Sequence, residues 1–175
     1  TDDGDAIQCC VRSGDRVLVF KTRSILALEG DNPNNFQLRP LVDGIGAIGP
    51  RAAAAVGPLV YFQSRRGWER MANGRVDDDF SFTSMGHYFD TLAQGNASRS
   101  VVRVVENEYV LFAYPDGSSS VNSDIAVYDL RRKNWTHWTN MGARDYLVQK
   151  DSAFSAATLL FADEMSPSIW VGLDG

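Results

Sequence analysis

The chain has 175 residues, of which 44% are hydrophobic, 22% charged and 11% aromatic, with a net charge of −5. That length is enough to bury roughly 70% of the unfolded surface, and the composition excludes a disordered chain. No run of 18 apolar residues is present, so no transmembrane helix is expected. An acidic chain also lacks the cations that would neutralise phosphates, so general nucleic-acid binding is not expected.

The first residues, Thr1-Asp-Asp-Gly-Asp-Ala-Ile-Gln8, carry no initiating Met or leader, and the last, Trp170-Val-Gly-Leu-Asp-Gly175, read as the middle of a hairpin. The expectation is a segment of a longer polypeptide. Cys9 and Cys10 are adjacent. In a strand they point to opposite faces, and a bridge between neighbours is strained, so two free thiols are expected.

Short β-type runs then follow one another. Arg16-Val-Leu-Val-Phe-Lys21 leads to Ile25-Leu-Ala-Leu28, then the weaker run Phe36–Val42, which Pro40 demotes as a strand. Pro58-Leu-Val-Tyr-Phe-Gln63 leads through Ser64-Arg-Arg-Gly67 to Trp68–Met71 and the turn Ala72-Asn-Gly74. Phe80–Phe82 is a weak strand candidate, and Ser84–Gln94 holds at most a turn of helix, weakened by Gly86. Val101–Val105, Glu108–Tyr114, Ile125–Tyr128, Trp135–Trp138, Tyr146–Val148, Thr158–Phe161 and Ile169–Val171 complete the series. Each hairpin is an apolar or alternating run, a turn, and a second run.

Hairpins near 16–30, 58–74, 108–138 and 157–175 recur. Their first strands centre near Val17, Leu59, Val110 and Leu159, 42, 51 and 49 residues apart. About four short strands per 40–50 residues is the size of a propeller blade. The expected fold is all-β and β-propeller-like, with repeated antiparallel hairpins in four-stranded blades and little helix. About three blades and part of a fourth would fit, as a segment of a larger domain. A β-sandwich is the alternative, but it favours evenly spaced single strands.

Gly44, Gly46 and Gly49 spell the G-x-G-x-x-G of a dinucleotide loop. Yet Arg51–Val56 offers only six residues before Gly57-Pro58, about 9 Å of helical rise, where a parallel crossover needs about a dozen residues. The acid required about 20 residues on is at best Glu69, inside a hairpin beside Trp68. The glycines are instead expected to permit positive φ and close backbone approach in a blade connection.

Asp2-Asp-Gly-Asp5 and Asp77-Asp-Asp79 lack the spacing of a calcium loop, and consecutive acids in extended chain diverge. Arg65-Arg66 and Arg131-Arg-Lys133 are flanked by turn residues and read as hairpin tips. His87 lies near Asp90 and Ser84 but without a nucleophile elbow, and His137 lies between Trp135 and Trp138 as a packed or edge histidine. The tryptophans Trp68, Trp135, Trp138 and Trp170 could offer a glycan-stacking surface, but inter-blade packing is preferred. Asn96-Ala-Ser98 and Asn134-Trp-Thr136 are sequons that decide nothing. No catalytic, cofactor-binding or metal-binding residue is assigned, no cofactor is expected, and the chain is not expected to be an enzyme.

Over about residues 15–138 the chain resembles the propeller parts of nozzle or hub proteins from bacteriophage tails. The resemblance is carried by Arg16-Val-Leu-Val-Phe-Lys21 with Arg23–Gly30, by Gly46-Ala-Ile-Gly-Pro-Arg51, and by Val60-Tyr-Phe-Gln-Ser-Arg-Arg-Gly67. Asn107–Tyr114 and Ile125–Trp135 continue it, although hairpins ending Val-Tyr-Asp-Leu…Trp also occur in kelch-like propellers. It implies a structural virion protein, assembled in the host cytoplasm, in a ring of copies (commonly six) with other tail proteins. DNA would pass through the ring without specific binding, and acids such as Asp77, Asp78 and Asp79 would discourage sticking to the lumen. The rival readings are a propeller that binds glycan or protein ligands through loops such as Pro115–Ser123, and a propeller hydrolase whose catalytic residues lie outside this segment.

Overall fold

The structure is a computed structural model that describes residues 4–150, 157–162 and 169–172; the side chains described are those of 4–146 and 162. The chain divides into two compact units, Thr1–Asp90 and Thr91–Gly175.

The first unit holds two four-stranded antiparallel sheets, each formed by consecutive strands in order. Sheet 1 contains β1 (Ile7–Ser13), β2 (Arg16–Lys21), β3 (Ser24–Glu29) and β4 (Gln37–Asp43). Sheet 2 contains β5 (Ala53–Val56), β6 (Leu59–Gln63), β7 (Trp68–Ala72) and β8 (Arg75–Asp77). The proline-bearing β4 is an edge strand, where a missing N–H costs no ladder bond. Its register shifts opposite Ile25 and Leu26, a bulge that takes up Leu41. Asn73 and Gly74 both have positive φ, 51° and 77°, the geometry that turns a two-residue hairpin between β7 and β8.

The two sheets meet face to face. On β2, Leu18 and Phe20 point into the shared core and Val17 and Val19 point the other way, as alternation requires. Leu18, Phe20, Ile25 and Ala27 of sheet 1 pack with Ala53, Val60, Phe62 and Met71 of sheet 2. The Phe20 and Phe62 rings lie 5.1 Å apart at 55°, the tilted arrangement that aromatic quadrupoles favour. The opposite face of sheet 2 is covered from within the unit. Tyr61 packs on Phe80, Trp68 on Phe89 of helix α1 (Phe82–Asp90), and Arg70 lies over the Phe80 ring.

The second unit repeats the plan. Sheet 3 contains β9 (Val101–Val105), β10 (Tyr109–Tyr114), β11 (Asp124–Asp129) and β12 (Asn134–Trp138), again in chain order. Sheet 4 has β13 (Asp145–Lys150), β14 (Ala157–Ala162) and β15 (Ile169–Gly172) among the described residues. Val101, Val105, Leu111, Ala113, Ile125 and Val127 form a core with Ala143 and Tyr146. The sheets open at Ile7, Ala53, Val101 and Asp145, 46, 48 and 44 residues apart. The fold is therefore all-β, in blade-like antiparallel meanders.

Several local expectations need correction. Phe80–Phe82 is not a strand, because Phe80 is drawn under Tyr61 and the chain turns there into α1. The helix spans 82–90 rather than 84–94, and a 3-10 helix follows at Gln94–Arg99. Ala53–Val56, within the Arg51–Val56 span, is strand β5, and the fourth strand of sheet 2 is the short, charged β8, which carries little hydrophobic pattern to read.

Candidate functional site

The strands of sheet 3 bring three polar side chains together. Register pairs Tyr114 with Asp124, and Ala126 with His137, so the three functional groups share one face of β10, β11 and β12. Tyr114 Oη lies 2.8 Å from His137 Nε2, and Asp124 Oδ2 lies 3.2 Å from the same nitrogen. Asp124 Oδ1 also accepts the Asn140 backbone N–H at 3.3 Å. All three residues are shielded from solvent, Tyr114 completely.

Burial is the largest influence on Asp124 and raises its carboxyl above the ordinary value; the Asn140 N–H and His137 oppose the shift, and Asp116 adds to it. A carboxyl raised on folding binds more protons in the native state, so it costs stability as pH rises above the ordinary value near 3.8. Asp124→Asn is accordingly expected to flatten the fall of stability with pH over that range. Urea unfolding at a series of pH values checks this, and an unchanged slope would show that Asp124 is not the group responsible.

Chemically the cluster is a short proton-coupled chain. Nε2 can accept from the tyrosine hydroxyl or donate to the carboxylate, so a proton on Nε2 decides which neighbour it holds. Ser123 Oγ, the nearest hydroxyl in sequence, is engaged elsewhere and accepts the Asp116 N–H. Four clefts among the described residues are lined by residues other than Tyr114, Asp124 and His137. The sequence read His137 as a packed or edge histidine within a strand; the structure puts it on the edge strand β12, beside partners 23 and 13 residues away that are joined to it by register alone.

A second polar cluster sits at the β6–β7 hairpin. Buried Glu69 accepts from Ser64 Oγ at 2.7 Å and from Arg66 Nε at 2.8 Å, and Arg66 reaches Asp78 at 2.9 Å. The Glu69 hydrogen bond is the main reason the Arg66 guanidinium holds its proton more tightly than usual. Arg66, Glu69 and Asp78 line a cleft of about 300 Å³ with Trp68, Phe80 and Phe82, and Phe82 is highly exposed at 76%. Glu69 thus pins a hairpin tip, a role unlike that of a ribose-binding acid.

Against this geometry the comparisons are sparse. No family model matches the chain, and no curated protein matches it. The fold has a solved counterpart. The crystal structure of the computationally designed Ika4 protein is similar with a TM-score of 0.53, covering 97% of this chain and 92% of that chain. The two sequences share 12% identity, so the likeness concerns the fold alone.

The other sequence candidates separate. Gly44 has positive φ at 82°, while a Cβ on Gly46 would fall 1.9 Å from the Lys21 carbonyl oxygen. Ala47 N–H donates to that same oxygen and Ile48 N–H to the Gln63 carbonyl, so the glycine segment stitches β2 of sheet 1 to β6 of sheet 2. No parallel crossover follows it. Asp77, Asp78 and Asp79 diverge, to Arg70, Arg66 and Thr83 respectively. Among the described residues no three His, Cys, Asp or Glu side chains are grouped to hold a metal.

Arg131 and Arg132 are at the β11–β12 turn and pair with Glu108 and Asp129. Cys9 and Cys10 are free and on opposite faces, and burial with the neighbouring Cys10 pushes the Cys9 thiol up to about 12. Trp68 is core, and Trp135 packs on Phe112 and Tyr128. The Trp170 side chain and Asp2 and Asp3 of the first acidic cluster lie outside what is described.

Proposed function

We propose that the chain is a non-catalytic structural subunit of a bacteriophage tail, part of the nozzle or hub ring through which DNA leaves. The observation that carries this reading is where the resembling motifs fall. Gly46–Arg51 is the stitch between two blade-like sheets, Val60–Gly67 makes most of β6 with its turn and no more, and Asn107–Tyr114 with Ile125–Trp135 make β10, most of β11 and the start of β12. The residues that carry the resemblance are thus the ones that build and join blades, which suits a protein working by assembly. The acidic-lumen idea gains nothing from Asp77 and Asp78, because Arg70 and Arg66 already pair with them.

Sedimentation of the purified protein together with peptide mass analysis of purified virions tests the reading. A multi-copy ring and presence in the tail are expected; absence from every virion fraction would sink it. The cleft under exposed Phe82 favours one second reading, a module that binds glycan or protein ligands, since an exposed aromatic beside paired charges suits sugar stacking. On that reading Phe82→Ala abolishes retention on a glycan array, and a chain with no retention at all excludes it.

A further inference from the structure

The clefts among the described residues differ in whether their charged groups are already engaged. Beside Phe82, Arg66 holds both Glu69 and Asp78. Beside Leu26, Asp5 accepts from Ser24 Oγ and from the Arg23 N–H. Beside Trp138, Asp129 is paired with Arg132. A further cleft, of about 420 Å³, has Ser13, Asp15, Arg16 and Asn73 around it. No other described residue holds any of these four side chains in a hydrogen bond or ion pair. Every residue that lines this cleft belongs to the first unit.

The strands explain why polar groups stand here over an apolar floor. Gly14-Asp15, Gly57-Pro58 and Asn73-Gly74 are the two-residue turns that close β1–β2, β5–β6 and β7–β8, and each contributes to the lining. Ser13 is paired with Arg16 and Val11 with Leu18, so all four share the inner face of sheet 1. Arg16 thus continues the stripe of Leu18 and Phe20 past the end of the core. The floor is Leu18, 4% exposed, and Met71, 2% exposed, one from each sheet. Leu41 and Pro58 wall it, and Leu41 reaches across to the β7–β8 turn, where a Cβ on Gly74 would meet it at 3.7 Å. Asp15, Arg16, Pro58 and Asn73 are exposed at the rim.

This combination selects a ligand. The volume is in the range of small-molecule sites. No aromatic ring lines the cleft, so a sugar has nothing to stack on. Asp15 and Arg16 are its charged residues, and one acid beside one base disfavours a bare anion and a bare cation alike. They are consecutive, with Cα atoms about 3.8 Å apart, so a ligand with opposite charges close together meets both. We propose that the cleft between sheets 1 and 2 binds a free α-amino acid with an aliphatic side chain. Its carboxylate accepts from the Arg16 guanidinium, its ammonium donates to the Asp15 carboxylate, and its side chain lies on Leu18 and Met71. Ser13 and Asn73 add donors for the same carboxylate. The inference stands on the first unit and is independent of the tail assignment.

An amide chemical-shift titration of the 175-residue chain with L-leucine tests it. Saturable binding at about 1 mM or tighter is expected, with shifts at Gly14, Asp15 and Gly74. Glycine, which has both charges and no side chain, should bind at least about tenfold more weakly. Arg16→Gln and Asp15→Asn, at or beside an exposed turn, should leave circular dichroism unchanged and each weaken L-leucine by at least about tenfold. Asp15→Asn should not alter the weaker binding of N-acetyl-L-leucine, which has no ammonium; a fall for both ligands alike would count against that contact. Absence of any shift at about 10 mM L-leucine would overturn the proposal. Glycine binding as tightly as L-leucine would overturn it too, as would unchanged affinity in both variants. None of these results bears on presence in virions, so the tail reading stands or falls separately.

Discussion

Gly46→Ala is expected to cost at least about 3 kcal/mol, the upper end for overpacking a closed site. The reason is the identity of the neighbours. A Cβ there would stand 1.9 Å from Lys21 O, 2.8 Å from Thr22 C and 2.9 Å from Lys21 C, all backbone atoms at the end of β2. A flexible side chain could swing aside, but this backbone is fixed by the β1–β2 and β2–β3 ladders. Relief by moving the glycine segment instead would break the Ala47 N–H to Lys21 bond and loosen the Ile48 N–H to Gln63 bond. Gly44→Ala is the control. Its positive φ makes alanine unfavourable by about 1 kcal/mol, yet nothing lies within 4 Å of the added carbon. Denaturant unfolding of the two variants gives the comparison. Equal losses would mean that the close approach at Gly46 does not hold the two sheets.

That same segment shows what one sequence can and cannot disclose. The glycine spacing matched a nucleotide loop letter for letter, and chain length alone removed that reading, because six residues cannot make a crossover. Length and alternation also located β2, β3, β6, β7, β10 and β11, whose apolar runs are bounded by turn residues. What stayed hidden were features set by distant partners. β8 is three residues long and identifiable only because Arg70, Met71 and Ala72 pair with it. Phe80 reads as a strand residue until Tyr61 is placed over it. Tyr114, Asp124 and His137 converge because of register between three strands, and register is not written in any one of them.

Phe62→Ala is the second large effect, and it probes the join between sheets rather than the stitch. Phe62 is fully buried, its ring is against Phe20, and its strand neighbour Val60 and cross-strand neighbours Ala53 and Glu69 are themselves buried. Truncating a buried phenylalanine typically loses about 3–5 kcal/mol, the transfer term plus the cavity that rigid surroundings fail to close. Collapse is unfavourable here for a specific reason. The residue across from Phe62 on β7 is Glu69, whose carboxylate is held by Ser64 and Arg66, so any inward shift of β7 must break those bonds. Hydrogen exchange at the β2 and β6 amides measures the loss in the first unit directly. Phe62→Leu retains most of the volume and should recover more than half of it. If alanine proves no worse than leucine, the two sheets are not held together by this core. Their association would then rest on the hydrogen bonds that Ala47 and Ile48 make across the glycine segment.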